Sequence, residues 1–80
     1  MDDFILDERG FVELHHLLKI IGLCDSGGMA KAEIAAGQVS VDGALELRKR
    51  CKIRAGQVVA YQDHRIRVCG PESYINIEST

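Results

Sequence analysis

The chain has 80 residues, the length of a single domain and too short for a large catalytic architecture. Apolar residues make up 46% of the sequence and charged residues 28%, with a formal net charge of −2. This composition predicts a folded chain and excludes intrinsic disorder as its main state.

Cysteine usage and the N-terminus indicate a cellular compartment. The three cysteines form no C-x-x-C pair, so the sequence contains neither a disulfide framework nor a zinc motif. The first residues are acidic where a signal peptide needs positive charge, and no apolar run approaches the length of a membrane span. We therefore expect a cytoplasmic protein without membrane contact, metal, cofactor or small-molecule substrate.

Charge is distributed unevenly along the chain. Residues 1–18 carry five acidic residues and one arginine, whereas residues 19–69 carry nine basic and five acidic residues. Five of the basic residues fall in the basic segment, residues 48–54, which contains no acid. Such a cluster is typical of phosphate binding, although a solvated loop kept soluble by its charge is the alternative.

The first predicted helix covers residues 11–21. Its apolar residues recur at i, i+3, i+4 and i+7, which places them on one face, and Gly22 follows as the terminator. The residues of this face are Leu14, Leu17, Leu18 and Ile21.

The second predicted helix covers residues 27–36. Ser26 offers an N-cap hydroxyl, and Gly37 is the left-handed residue that commonly ends a helix. Ala30 and Ile34 share a face at i, i+4, where the small alanine allows the two helices to approach closely.

After Gly37 the period changes from helical to alternating. The Asp42-Gly43 pair predicts a tight hairpin between residues 39–41 and 44–47, with its register left open between a two-residue turn and a bulge. Further strands are predicted at 57–61 and 65–69, and residues 73–78 form either an edge strand or a loose tail.

This order predicts an α+β domain in which two short helices pack on a small antiparallel sheet of about four to five strands. Residues 1–10 are predicted to form an acidic N-terminal arm, residues 11–69 the domain itself, and residues 70–80 a C-terminal tail or an extra edge strand.

The run LHHLLKIIGLCDSGGMAKAEIAAGQVSVDG, followed by AGQVV, resembles the S-four RNA-binding domain, named after a small-subunit ribosomal protein. The shared marks are the paired leucines, the Gly-Leu joint, Ser before the second helix, Ala and Ile four apart, and G-x-V-x-V-D-G. The resemblance is strongest to small free-standing bacterial members that carry S-G-G-M-A-K and R-K-R-x-K.

The resemblance implies an αL motif, in which the two helices and the hairpin present one surface to structured RNA. Three positions depart from the family pattern: Gly27 stands where members often have Arg, Asp42 replaces a frequent Asn, and Gln57 replaces a frequent Asp. The missing arginine suggests that the basic segment takes over its contact.

The candidate RNA-binding residues fall into two groups, one in the basic segment and one along the second helix. At the second helix, Ser26, Gly27 and Gly28 form either a phosphate cradle of free N–H groups or a plain cap with a flexible turn. The full predicted site is Ser26, Gly27, Gly28, Lys31, Gln38, Arg48, Lys49, Arg50, Lys52 and Arg54.

No catalytic constellation is present, so the chain is predicted to be non-catalytic. The resemblance, together with the basic segment, implies a monomer that binds structured RNA, ribosomal or transfer RNA. The basic region lacks aromatic residues in sequence, which argues against readers of stacked single strands. Its Cys51 is a candidate for a lowered thiol pKa. The alternative function is a protein-interaction adaptor that uses the acidic arm and the basic segment.

Overall fold

A computed structural model describes residues 2–71, so the tail predicted at 73–78 lies outside the described residues. Within the described range, the chain forms seven strands and two helices. In order they are β1 Asp2–Ile5, β2 Phe11–Glu13, α1 Leu14–Ile20, α2 Gly27–Ala35, β3 Val39–Val41, β4 Ala44–Leu45, β5 Lys52–Arg54, β6 Val58–Tyr61 and β7 His64–Cys69.

The strands form a five-stranded sheet in the order β1-β7-β6-β3-β4 and a separate pair, β2-β5. The predicted α+β class with two helices and a small sheet is confirmed, with one difference. The five-stranded sheet is mixed, because β1 runs parallel to β7 while its other pairs are antiparallel. Residues 2–5, expected in the acidic arm, thus form an edge strand.

Helix α1 begins three residues later than predicted. Residues 11–13 pair with β5 instead, with Val12 opposite Ile53. The helix ends as expected: Gly22 has φ +84°, and the amides of Gly22 and Leu23 donate to the carbonyls of Lys19 and Leu18. These two bonds form a Schellman motif, which closes the last turn of the helix.

Helix α2 has the caps that the sequence predicts. The Ser26 hydroxyl accepts a hydrogen bond of 3.1 Å from the amide of Met29. At the other end Gly37 has φ +80°, its amide donates to Ile34, and the amide of Gln38 donates to Glu33. The second Schellman motif sets the direction in which the chain enters β3.

The core lies between the helices and the five-stranded sheet. The predicted helix stripes are confirmed at Leu14, Leu17, Leu18, Ala30 and Ile34, which are fully buried. The fourth residue of the first stripe, Ile21, follows the end of α1 and is only partly buried. Buried residues of the strands cover the other side, including Val39, Val41, Ile53, Val59, Ile66 and Val68. Burial of such side chains is the main source of stability in a domain of this size.

The hairpin adopts the two-residue turn. Asp42 and Gly43 both have positive φ, at 52° and 83°, and Val41 lies opposite Ala44. As a consequence Leu45 and Leu47 point away from the core, with exposed fractions of 63% and 56%. The turn geometry therefore sets the register at the expense of exposing two leucines.

Candidate nucleic-acid interface

The basic segment consists of a turn followed by strand β5. The amide of Cys51 donates to the carbonyl of Arg48 at 3.1 Å, which leaves Lys49 and Arg50 at the exposed tip. In β5 the side chain of Ile53 is buried, so its neighbours Lys52 and Arg54 both point to solvent. The segment thus presents its cations outward from an ordered backbone.

The backbone of the basic segment caps helix α1. The carbonyls of Cys51 and Lys49 accept hydrogen bonds of 2.9 and 3.0 Å from the amides of Leu14 and His15. The His15 side chain adds a third bond, from Nδ1 to the Lys49 carbonyl at 2.9 Å. Because the first amides of a helix need acceptors, these bonds both complete α1 and hold the turn in place.

Arg48 differs from the other cations because it is paired with Glu46. Its Nε donates to one carboxylate oxygen at 3.0 Å and its Nη2 to the other at 3.1 Å. The Arg48 backbone amide donates to the same carboxylate at 2.9 Å. These bonds from Arg48 lower the pKa of Glu46 to about 2. In the part of the chain that the structure describes, the remaining four cations have no ion-pair partner: Lys49, Arg50, Lys52 and Arg54.

The expected lowering of the Cys51 pKa is wrong. Its side chain packs against the core, and this burial raises the thiol pKa. A hydrogen bond and the charge of Glu46 act in the same direction, while Arg48 opposes them with a weaker effect. Of its positive neighbours, Lys49, Arg50 and Lys52 are exposed. The Arg48 guanidinium lies 3.8 Å from the Cys51 sulfur but lowers the thiol pKa by less than burial raises it. Cys24 is also buried in the core.

An aromatic ring does lie in the basic region, contrary to the expectation from the sequence. Phe11 lies directly across from Arg54 in the β2-β5 pair, and three cations surround its ring. The Lys52 ammonium is 4.9 Å from the ring centroid, and the guanidinium carbons of Arg9 and Arg54 are each 5.7 Å away. Residues from two distant parts of the sequence thus form one aromatic and cationic surface.

The second predicted group is spread along α2, from the N-cap through Lys31 to the residue after its C-terminal glycine. Ser26 and Gly28 are exposed at its N-terminus, and a Cβ added to Gly28 would contact only the Ser26 hydroxyl oxygen, at 3.8 Å. Gly27 and Lys31 are half-buried. Gln38 is exposed at the opposite end, beyond a helix about 13.5 Å long. The α2 residues are therefore not one compact cluster.

Two of the three departures from the family pattern contact each other. The Gln57 side-chain amide donates to one Asp42 carboxylate oxygen at 3.4 Å, and the Val58 amide donates to the other at 2.9 Å. With the family's usual residues, Asn at position 42 would donate and Asp at position 57 would accept. In this chain the direction is reversed, because Gln57 donates and Asp42 accepts. Asp42 and Gln57 therefore preserve a bond between the hairpin and the start of β6.

Among residues 2–71, no group of three or more His, Cys, Asp or Glu side chains is arranged to hold a metal ion. No helix there is long and apolar enough to cross a membrane.

The helix pair, the hairpin and the solvent-facing cations are the parts of an αL domain, and comparison with known proteins agrees. The model of the S4 domain family matches residues 5–69. The chain therefore belongs to the S4 domain family, which is the S-four family that the sequence resembles.

Individual relatives support this assignment. YbcJ of Escherichia coli (strain K12), whose name describes it as a candidate RNA-binding protein, is 53% identical over 68 residues, which cover 85% of this chain and 97% of YbcJ. YbcJ of Shigella flexneri matches equally well. The solution structure of E. coli YbcJ, described as revealing an αL motif involved in RNA binding, aligns with a TM-score of 0.68 at 52% identity, covering 86% of this chain and 87% of that chain.

Proposed function

We propose that this chain is a non-catalytic RNA-binding protein that recognises structured RNA, ribosomal or transfer RNA, through its basic αL surface. The observation that carries the proposal is the set of four cations on the basic segment that have no acidic partner among residues 2–71. Cations that neutralise phosphates release counterions, which supplies most of the sequence-independent affinity for nucleic acid.

The fixed backbone of the basic segment supports a folded RNA as the target. Its turn is tied to the start of α1 by the carbonyls of Lys49 and Cys51, and β5 is paired with β2. A preorganised array of charges loses little conformational entropy on binding a target whose phosphates are themselves fixed. The helix N-terminus at Ser26–Gly28, with Lys31 and Gln38, extends the proposed surface along α2.

The proposal includes a monomer in the cytoplasm. The three cysteines are free thiols, as a reducing compartment requires. The choice of ribosomal or transfer RNA comes from the family resemblance alone. The YbcJ proteins to which the chain is similar are described only as binding RNA.

The adaptor alternative has one observation in its favour, the exposed Leu45 and Leu47 directly before the basic segment. Its acidic arm, however, is partly used by the fold. Residues 2–5 form β1, and Asp3 pairs with Arg67 at 3.1 Å. RNA binding is the stronger hypothesis because the basic segment, unlike the arm, leaves most of its charges available.

A salt titration with a purified RNA hairpin tests the proposal. Four phosphate contacts predict that log K falls against log salt with a slope between about −2.8 and −3.6. Replacing Arg50 and Lys52 by Ala should flatten this slope by about 1.4 to 1.8 units without changing the fold, because both side chains are exposed.

The matched control removes two arginines from the outer face of β7, Arg65→Ala with Arg67→Ala. Both lie outside the proposed surface, so we expect a smaller change in slope than for the Arg50 and Lys52 pair. Equal slopes for the two double variants would show that only total charge matters and would contradict the proposed surface. Absence of RNA binding by the unmodified protein would favour the adaptor.

A further inference from the structure

Phe11 occupies an unusual position for an aromatic residue in a small domain. It is half-buried on the outward face of the β2-β5 pair, whose inward face is anchored by buried Val12 and Ile53. Lys52, Arg9 and Arg54 place their cationic groups within 6 Å of the ring centroid. The core therefore fixes the ring while its surroundings carry positive charge.

A depression lies beside the ring. Its volume is about 240 Å³, and it is lined by Arg9, Phe11, Val12, Glu13 and His16. The lining combines an aromatic surface, a cation and a carboxylate. This is the chemistry that recognises a nucleobase, which stacks on aromatic rings and forms hydrogen bonds through its edge.

We propose that Phe11 and this depression bind a single unpaired nucleobase of the target RNA, while Lys52 and Arg54 contact the phosphates beside it. The inference rests on the proposed RNA-binding function and adds a specific requirement. The target is a paired RNA that carries a bulged or flipped-out nucleotide, rather than an uninterrupted duplex.

The three cations do not block the ring. They are the ends of long, exposed side chains, and a cation–π contact at an exposed site is weaker than the stacking of a base on an aromatic ring. An arriving base can therefore displace Lys52 and Arg54 toward its own phosphates, while Arg9 stays in its ion pair with Asp7, at 3.0 Å. The same movement exchanges a weak contact for a charge-assisted hydrogen bond to phosphate.

Glu13 makes the inference more specific. It lies across from Lys52 in the strand pair, and its carboxylate at the edge of the depression accepts hydrogen bonds. A base with an exocyclic amino group can donate to it, as cytosine does to acidic side chains in other nucleic-acid complexes. A bulged cytosine is therefore the probe of choice.

The experiment compares two synthetic RNA hairpins, one fully paired and one with a single bulged cytosine in the same stem. The unmodified protein should bind the bulged hairpin roughly tenfold more tightly, as expected for one stacked base. Phe11→Leu should remove this preference while keeping the affinity for the paired hairpin and the slope against salt. Phe11→Tyr is the matched variant that should keep the preference.

A second measurement reports stacking directly. The chain contains no tryptophan, so Phe11→Trp introduces a single indole fluorophore at the proposed platform. The bulged hairpin should quench its emission, because a base stacks on the indole, and the paired hairpin at equal saturation should not. This readout does not depend on how well Phe11→Leu folds.

The outcomes separate this inference from the function on which it rests. Equal affinity for the two hairpins together with equal quenching overturns the proposed base-binding site. The proposed RNA-binding function is unaffected by that result. Loss of preference in Phe11→Leu together with bulge-specific quenching supports the site. Binding of neither hairpin contradicts the proposed function itself.

Discussion

Glu46 controls how much positive charge the basic segment offers. Its carboxylate holds the Arg48 guanidinium by two hydrogen bonds and the Arg48 amide by a third. The pair also fixes the chain where it leaves the hairpin and enters the turn. The acid stands just outside the run of basic residues, which is why counting charges within the run overstates the number of free cations.

The lowered pKa of Glu46, about 2 against an ordinary 4.5, gives a pH-dependent contribution to stability. Because the folded state prefers the ionised carboxylate, this contribution is complete above about pH 4.5 and disappears as the pH falls toward 2. Glu46→Gln should therefore lower the free energy of unfolding by about 1 kcal/mol at pH 7, a modest value because Arg48 is 78% exposed to solvent.

Urea unfolding of the Glu46→Gln variant at several pH values checks this prediction. The difference from the unmodified protein should shrink steadily between pH 4.5 and pH 2. Glu8→Gln, at an exposed acid without an ion pair among the described residues, is the control and should have little effect at pH 7. A difference in free energy of unfolding that stays constant with pH would show that the ionised Glu46 carboxylate is not the source of the stability.

Gly28 tests whether the start of α2 belongs to the RNA-binding surface. Its φ is not positive, and an added Cβ would have room, so Gly28→Glu should fold and benefit from a carboxylate in the first helical turn. A phosphate bound at this point would be repelled. We expect an unchanged or higher melting temperature and RNA affinity reduced at least about tenfold, or about 1.4 kcal/mol.

Gly28→Gln separates charge from size at the same position. It should retain most of the RNA affinity, because the side chain is similar in length but neutral. If Gly28→Glu is stable and binds RNA fully, Ser26–Gly28 form a cap only and do not contact RNA.

At the scale of elements, the bond between Asp42 and Gln57 joins the hairpin to β6. Gln57→Asp would place two carboxylates together and should lower the free energy of unfolding by about 1 kcal/mol. Adding Asp42→Asn to that variant restores a donor opposite the new acid. The double variant should therefore be more stable than Gln57→Asp alone.

Chemical unfolding of the unmodified protein, both single variants and the double variant gives a complete double-mutant cycle. A coupling free energy of at least about 0.5 kcal/mol would confirm that the two positions interact. Additive effects would show that the 3.4 Å contact contributes nothing to stability.

Elements with local signals could be predicted from the sequence. Helix α2 is an example, because Ser26 and Gly37 mark its ends and both act as caps in the structure. The start of α1 could not be placed in this way, because residues 11–13 are determined by pairing with β5, about 40 residues later. A tertiary partner overrides local helical periodicity in such a segment.

The same error hid Phe11 from the predicted site. Placed inside a helix, Phe11 had no relation to the basic segment, whereas the strand pair puts it across from Arg54. The residue before Phe11 could not reveal this, because glycine is an acceptable helix N-cap. The positive φ of Gly10, +79°, is evident only in the structure. The charged residues, by contrast, were evident from their spacing alone.

At the scale of the whole molecule, β1 connects the beginning of the described chain to its last strand. Phe4 lies opposite Val68 and packs partly against the core. Phe4→Ala should lower the free energy of unfolding by about 2 kcal/mol and the melting temperature by about 8 to 16 °C. The control Asp2→Ala, at an exposed position of the same strand, should change the melting temperature little.

Thermal unfolding followed by circular dichroism measures both variants. An unchanged melting temperature for Phe4→Ala would mean that residues 2–5 act as a free acidic arm, as the sequence suggests. A large decrease would establish β1 as part of the cooperative unit.

The parallel pairing of β1 with β7 also constrains the order of events during synthesis. Asp3 and its partner Arg67 are 64 residues apart, so at about 5 to 20 residues per second the ribosome delivers β7 roughly 3 to 13 s after β1. For that interval β1 is an unpaired strand. Its two aspartates, both exposed in the finished sheet, place negative charge on it and discourage pairing with a neighbouring nascent chain until the correct partner emerges.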